Sequence, residues 1–197
     1  MIDHTDIKQV IHYISELYSP ISEACITDLS SVSKILSFDK PTIIVKEGQF
    51  ANKTYFIIKG CARAFYLKDG KDITDWLAFE NDFISAINSF FLDIPSPHYI
   101  EVLEACELLE FSREDSLKLS DKYHDFEKLA SKAITRTLLQ LQQRVVSIQF
   151  ETAQQRYENL LTIRPDITQR VPLTHIASFL GITLETLSRI RSPKNRI

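Results

Sequence analysis

The sequence predicts an α+β protein: two N-terminal helices, a closed antiparallel β-sandwich or barrel, one long helix, and a small all-helical unit at the C-terminus. Three observations predict it. The 197 residues contain only four glycines, and three of them, Gly48, Gly60 and Gly70, punctuate a strand-rich stretch from about residue 41 to 111. Helical periodicity flanks that stretch on both sides. The segment from Leu173 to Arg191 then reads as two short helices around the fourth glycine, Gly181.

In chain order, residues 5–18 and 21–36 have helix-like periodicity, broken at Ser19-Pro20 and ending near Phe38 to Pro41. Ile43-Ile44-Val45 and Tyr55 to Ile58 read as strands. Cys61 to Leu67 alternates up to Asp69-Gly70, a hairpin signal, with residues 73–79 as the return strand and residues 99–111 as one or two more. Many short strands at this spacing predict a closed sheet. Residues 123–149 make one long helix in which Ile134, Leu138, Leu141, Val145 and Ile148 recur at steps of four and three. That seam covers about two heptads and suits a two-fold dimer interface; the alternative is that the stripe packs on its own β-domain. Phe150-Glu151 breaks the pattern, Thr152 caps a further helix to about Ile163, and Arg164-Pro165-Asp166 ends it. The expected division is 1–122 (β-domain), 123–149 (long helix) and 150–197 (helical unit).

The C-terminal unit carries the chemistry. Ile176, Ala177 and Leu180 form one apolar helical face, and Gly181 supplies a left-handed turn that only glycine adopts without strain. Thr183 is placed to cap the next helix, whose inward face is Leu187 and Ile190. This is the pattern of a helix-turn-helix, whose second helix enters the DNA major groove. Glu185, Thr186, Ser188, Arg189 and Ser192 project outward. Arg can form a bidentate pair with guanine and Glu can accept from cytosine N4, so this face has base-reading chemistry. Thr174, Arg170, Arg191, Lys194 and Arg196 are the expected phosphate contacts. The chain runs only six residues beyond Arg191, so the expected unit lacks a full wing.

Composition fits a soluble chain with an uneven charge map. Hydrophobic residues make up 44% and the net charge is −3. Residues 164–197 hold six cations against two acids, giving +4 and leaving −7 on the rest. A basic module on an acidic body matches a phosphate-facing domain with a separate sensor. Met1 to His4 opens no signal peptide, and no apolar run is long enough to span a bilayer, so the expectation is a cytoplasmic protein with no membrane partner. Cys25, Cys61 and Cys106 are scattered and form no C-x-x-C, which points to reduced thiols rather than a metal cluster. There is no G-x-S-x-G, Walker, H-E-x-x-H or C-x-x-C pattern, which argues against an enzyme.

Together these segments resemble the cyclic-AMP receptor / fumarate-nitrate reduction (CRP/FNR) family of bacterial transcription regulators. The resemblance rests on Glu47-Gly48, on Tyr55 to Gly60, on Asn81-Asp82-Phe83-Ile84, on Ala105 to Leu109, and on Gly181 to Arg189. Family recognition helices usually read Arg-Glu-Thr-Val-Ser-Arg. Glu185 and Arg189 match the two base-contacting positions, whereas Leu184 stands where the first Arg would be. The resemblance implies a cyclic-nucleotide-binding-like jelly roll as sensor, with duplex DNA, a second copy of the chain and RNA polymerase as partners.

The ligand cassette departs from the family pattern Phe-Gly-Glu-Leu-Ala-Leu followed by Arg-Ser-Ala or Arg-Thr-Ala. Without gaps, Ala86 replaces the ribose-holding Glu and Ser96 the phosphate-pairing Arg. A buried phosphate without its charge partner is costly, so cyclic AMP is not expected to bind in the family manner, no cofactor is expected, and the effector is open. Phe83, Ala86, Ser96 and His98 are the candidate pocket residues. His98 reads by default as a hydrogen-bonded or solvated loop residue. Phe90, Phe91, Leu92 and Ile94 either line an apolar pocket or pack in the core. The rival functional reading is a ligand-binding or oligomerisation module of the same fold whose helix-turn-helix is vestigial.

Overall fold

Two capped helices open the chain. The computed structural model describes residues 6–192. In α1 (Ile7–Leu17) the Asp6 carboxylate accepts the Lys8 N–H at 2.9 Å, and in α2 (Glu23–Val32) Ser22 Oγ accepts the Cys25 N–H. The strands are β1 (Lys34–Phe38), β2 (Thr42–Val45), β3 (Lys53–Lys59), β4 (Ala62–Lys68), β5 (Lys71–Ala78) and β6 (Phe83–Ser85). A short helix, α3 (Ile87–Leu92), precedes β7 (Tyr99–Val102) and β8 (Cys106–Ser112). Then follow α4 (Arg113–Lys122), α5 (His124–Phe150), α6 (Ala153–Ile163), α7 (Ile167–Arg170), α8 (Leu173–Phe179) and α9 (Leu184–Arg191).

The strands form two four-stranded antiparallel sheets, ordered β1-β8-β3-β6 and β2-β7-β4-β5. Asp69-Gly70 makes the two-residue turn between β4 and β5, pairing Lys68 with Lys71 and placing both turn residues at positive φ. Because side chains alternate across a strand, each sheet feeds two cores. Ile57, Ala78 and Leu108 point between the sheets, into a core with Ala64, Ile84, Ile100 and Val102. Their neighbours Phe56 and Leu109 point out of the first sheet, onto α1, α2 and the start of α5. Leu77 and Phe79 point out of the second sheet, into a core shared with Tyr157, Ile167, Ile176, Leu180 and Leu187. Sheet and C-terminal helices are therefore packed against one another, not strung on a linker.

Several local readings are corrected. The helix expected over residues 21–36 ends at Val32, where Ser33 turns extended and its hydroxyl donates to the Leu29 carbonyl at 2.7 Å. Residues 34–38 form β1 because Ile35 serves the helix-side core while Leu36 and Phe38 serve the inter-sheet core, a period of two. Helices α3, α4 and α7 add to the sequence reading. For α4 the signal was present, since Ser112 accepts the Asp115 N–H and two acids fill the first turn.

Gly60 is fixed by contact as well as by conformation. Its φ is +95°, and a Cβ there would lie 2.3 Å from Cys106 Sγ and 2.7 Å from the Ala105 carbonyl. Only a residue without a side chain lets the β3–β4 corner approach β8 this closely.

Candidate functional site

The helix-turn-helix is built from four local devices. Ile176 and Ala177 of α8, Leu180 at its C-cap and Leu187 of α9 are buried in one core, with Ile190 packed against it. Gly181 turns the chain at φ +68°. Its neighbour's amide closes the helix end, Ile182 N–H donating to the Ala177 carbonyl at 3.0 Å. Thr183 Oγ1 accepts the Thr186 N–H at 3.2 Å and so caps α9. Opposite the buried seam, Glu185, Ser188, Arg189 and Arg191 are exposed, with Thr183 beside them and Thr186 half-buried. The Glu185 carboxyl is held below its ordinary range by its own backbone N–H and the Thr183 hydroxyl. Thr174 is exposed on the first turn of α8. Lys194 and Arg196 lie outside the described residues.

α8 also meets the second sheet at β5. The Thr74 N–H of β5 donates to Ser178 Oγ at 2.8 Å, and Ser178 Oγ donates to the Asp72 carbonyl at 3.2 Å. Arg63 is nearly fully buried. Its guanidinium holds Asp72 at 2.6 and 2.7 Å and Glu101 at 2.8 Å, and approaches His175 Nδ1 at 3.0 Å. Arg has donors only, so this His175 nitrogen is the acceptor and the ring is neutral. Burial and then the adjacent Arg63 charge depress the His175 pKa, in agreement.

Arg170 is not a phosphate contact. Its guanidinium donates to both Glu80 oxygens (3.1 and 2.6 Å), to Glu104 (3.0 and 2.5 Å) and to Asp166 (3.0 Å). Arg164 lies over the Phe79 ring at 4.4 Å, beside Asp82 at 3.8 Å. Two of the six C-terminal cations thus bind the sheet domain. Sequence reading missed this clamp because Glu80 and Glu104 lie 90 and 66 residues away, and no local pattern marks them.

A cavity of about 300 Å³ lies where β5, β6 and α3 face α5. Trp76, Phe83, Phe90, Phe91, Ala133 and Leu138 are among its walls, and Asp75 and His98 are the titratable groups among the described lining residues. Of the four candidate pocket residues, Phe83 and His98 line it. Ala86 and Ser96 are fully buried outside it, and Ser96 ties the loop together, its hydroxyl donating to the His98 carbonyl at 2.7 Å. Leu92 and Ile94 face solvent, whereas Phe90 and Phe91 line the cavity. His98 is neither solvated nor bonded as expected: it is 3% exposed, and neither ring nitrogen completes a hydrogen bond. Asp75 and Trp76 enter the site unannounced because β5 bulges at Asp75, Ala64 pairing with Trp76 and Phe65 with Thr74, which breaks the alternation of faces.

On α5, Phe126 and Leu129 are the buried residues. Ile134, Leu138, Val145 and Ile148 are exposed and Leu141 is half-buried. Ile134, Leu138 and Leu141 line the cavity together with residues of the β-domain. Among the described residues no group of His, Cys, Asp or Glu is placed to hold a metal ion, and no helix is long and apolar enough to cross a membrane.

Comparison with known proteins places this architecture. Residues 35–123 match the cyclic nucleotide-binding domain family. The global regulator CLP of Xanthomonas campestris superposes with a TM-score of 0.65 at 16% identity, over 86% of this chain and 89% of that one. FixK2 of Bradyrhizobium japonicum does so at 0.64 and 20% identity, over 81% and 82%. The chain has the CRP/FNR fold. DNR of Pseudomonas aeruginosa extends the likeness to 98% of this chain and 91% of its own, at 21% identity and a TM-score of 0.56. No curated protein sequence matches.

Within the CRP/FNR fold, the described lining of this chain's cavity holds no Lys or Arg. A cyclic phosphate needs a cation or a nest of amides. The described walls of the cavity offer a carboxylate, Asp75, and an imidazole that burial pushes toward neutrality. Ala86 and Ser96 supply no charge.

Proposed function

We propose that the chain is a homodimeric, sequence-specific DNA-binding transcription regulator of the cytoplasm, whose α9 reads the major groove and whose sensor does not take cyclic AMP. The observation that carries this is α9 itself. Its inner face is locked by Leu187, while Glu185, Ser188 and Arg189 stand exposed on a capped, rigid helix. Base-reading side chains need such support, because a loosely held Arg gains little from a bidentate guanine pair. CLP is described as a c-di-GMP-responsive global regulator and DNR as a transcriptional regulator, and the shared fold favours a similar role.

The exposed α5 stripe supports the dimer. Leu138, Val145 and Ile148 keep heptad spacing and are 61%, 51% and 43% exposed, so a second α5 would bury them in a two-fold seam. Such a dimer sets two recognition helices about 34 Å apart, one DNA turn. The rival reading, a ligand-binding or oligomerisation module with a vestigial helix-turn-helix, predicts no salt-sensitive DNA affinity at all.

The test is selection of genomic fragments followed by titration of the selected site. Arg189→Ala is expected to cost about 1–3 kcal/mol on that site and to relax one base pair, with little change on random duplex. Leu138→Asp is expected to give a folded monomer by light scattering that loses site affinity. A wild-type monomer at micromolar concentration overturns the dimer, and salt-insensitive or absent duplex binding overturns the function.

A further inference from the structure

α9 carries an apolar side chain that its own fold does not use. Leu187 is fully buried, and Ile182 and Ile190 pack at the rim of the same core, so the inner face of the helix is complete. Among the described residues of that core and its rim Leu184 is absent, and it stands 41% exposed. A single exposed leucine on a protein surface is ordinary. This one is singled out by its place. It is the first residue of α9, directly after the Thr183 cap, beside Glu185 and one helical turn before Ser188. The other exposed residues around it, Glu185, Ser188, Arg189 and Arg191, are all polar or charged. In a recognition helix the N-terminal residues are the ones that reach base edges.

The chemistry of the groove then selects what a leucine can meet. Its side chain has no hydrogen bond to offer. The major groove presents one apolar group, the C5-methyl of thymine, and otherwise donors and acceptors. Covering a donor or acceptor with a leucine would strip its water and give nothing back, which is costly. The position is also well defined, because the Thr183 hydroxyl accepts the Thr186 N–H at 3.2 Å and fixes the first turn. Leu184 and Glu185 are consecutive and base pairs rise by about 3.4 Å, so their contacts fall within about two base pairs of each other. We propose that Leu184 is a specificity residue that packs on a thymine methyl, so that each half-site carries a T·A pair close to the pair met by Glu185. This rests on the reading of α9 as a major-groove helix and adds the base that its apolar position selects.

The test uses the intact chain and the selected genomic site. Each thymine of the half-sites is replaced in turn by deoxyuridine, which removes the methyl and keeps every hydrogen-bonding group, and affinity is read by fluorescence anisotropy. At one thymine, wild type is expected to lose about fourfold, the worth of one buried methyl group. Leu184→Ala should bind thymine and uracil alike at that position, with the salt slope of wild type, because no charge has changed. Leu184→Arg should move the preference there from thymine to guanine, whose O6 and N7 suit its guanidinium. The proposal fails if no thymine responds to loss of its methyl. It fails equally if the response survives in Leu184→Ala, which would pass the contact to the Thr186 or Thr183 methyl, or if Leu184→Arg still prefers thymine. Site binding without a methyl effect overturns this inference alone, whereas absence of salt-sensitive binding to any duplex overturns the reading of α9 and the inference with it. Cooperative melting of both variants confirms that fold loss is not the cause.

Discussion

Arg170→Met tests the claim that the helix-turn-helix unit is clamped to the sensor by charge. The side chain is 19% exposed, its partners Glu80 and Glu104 are 32% and 31% exposed, and Asp166 is 46% exposed. A surface ion pair is worth at most about 1 kcal/mol, whereas removing one partner of a fully buried pair costs about 3–5 kcal/mol. This clamp lies between those limits. Its five hydrogen bonds share one guanidinium and do not add, and Met replaces the apolar stem without the charge. Two glutamates that shared one cation are then left facing each other. The expected loss is about 2–3 kcal/mol, or about 4–12 °C in Tm for a chain of this size. Urea unfolding followed by circular dichroism at pH 7 measures it.

The pH dependence of that loss checks its cause. For Asp166 the Arg170 hydrogen bond is the main influence and holds the carboxyl low. For Glu80 burial pushes upward, and the bonds from Arg170 and the Gly60 N–H outweigh it. Depressed carboxylates contribute stability that is present above their unfolded pKa, near 4, and lost as pH falls through the lower folded values. The gap between wild type and Arg170→Met should therefore be full at pH 7 and shrink on acidification below about pH 4. A loss under about 0.5 kcal/mol at pH 7, or a gap that persists at low pH, refutes the electrostatic account.

Two further predictions follow from buried contacts. Gly60→Ala should destabilise by at least about 2 kcal/mol, since the new Cβ meets the Ala105 carbonyl and Cys106 Sγ at a positive φ; a thermal shift near zero contradicts the close approach. His175 faces Arg63, Asp72 and Glu101 and is held neutral below the ordinary histidine pKa. The unfolded chain therefore binds its proton first, and stability should decline as pH drops below about 6.5. His175→Asn keeps an acceptor for Arg63 without titrating, so its unfolding free energy should vary less between pH 7.5 and 5.5; equal slopes sink the assignment.

The sequence by itself determined what short-range chemistry controls. Gly181 and Thr183 set the turn and the cap of the helix-turn-helix, and Leu187 and Ile190 set its inner face, because turns, caps and helical faces are decided within a few residues. The Asp69-Gly70 hairpin and the exposed heptad stripe on α5 were legible for the same reason. Only the tertiary structure decided what each long side chain meets. Arg170 looked like a phosphate contact until Glu80 and Glu104 came to it from the loops after β5 and β7. His98 looked like a solvated or hydrogen-bonded residue until the Tyr66 ring of β4 and the Ser85 backbone of β6 closed on it. Residues 34–38 continued a helical pattern until β8 offered a ladder and two cores to fill. In each case the competing partner lies tens of residues away, and folding brings it within hydrogen-bond or van der Waals range. Local pattern cannot weigh an interaction whose other half is not yet in view.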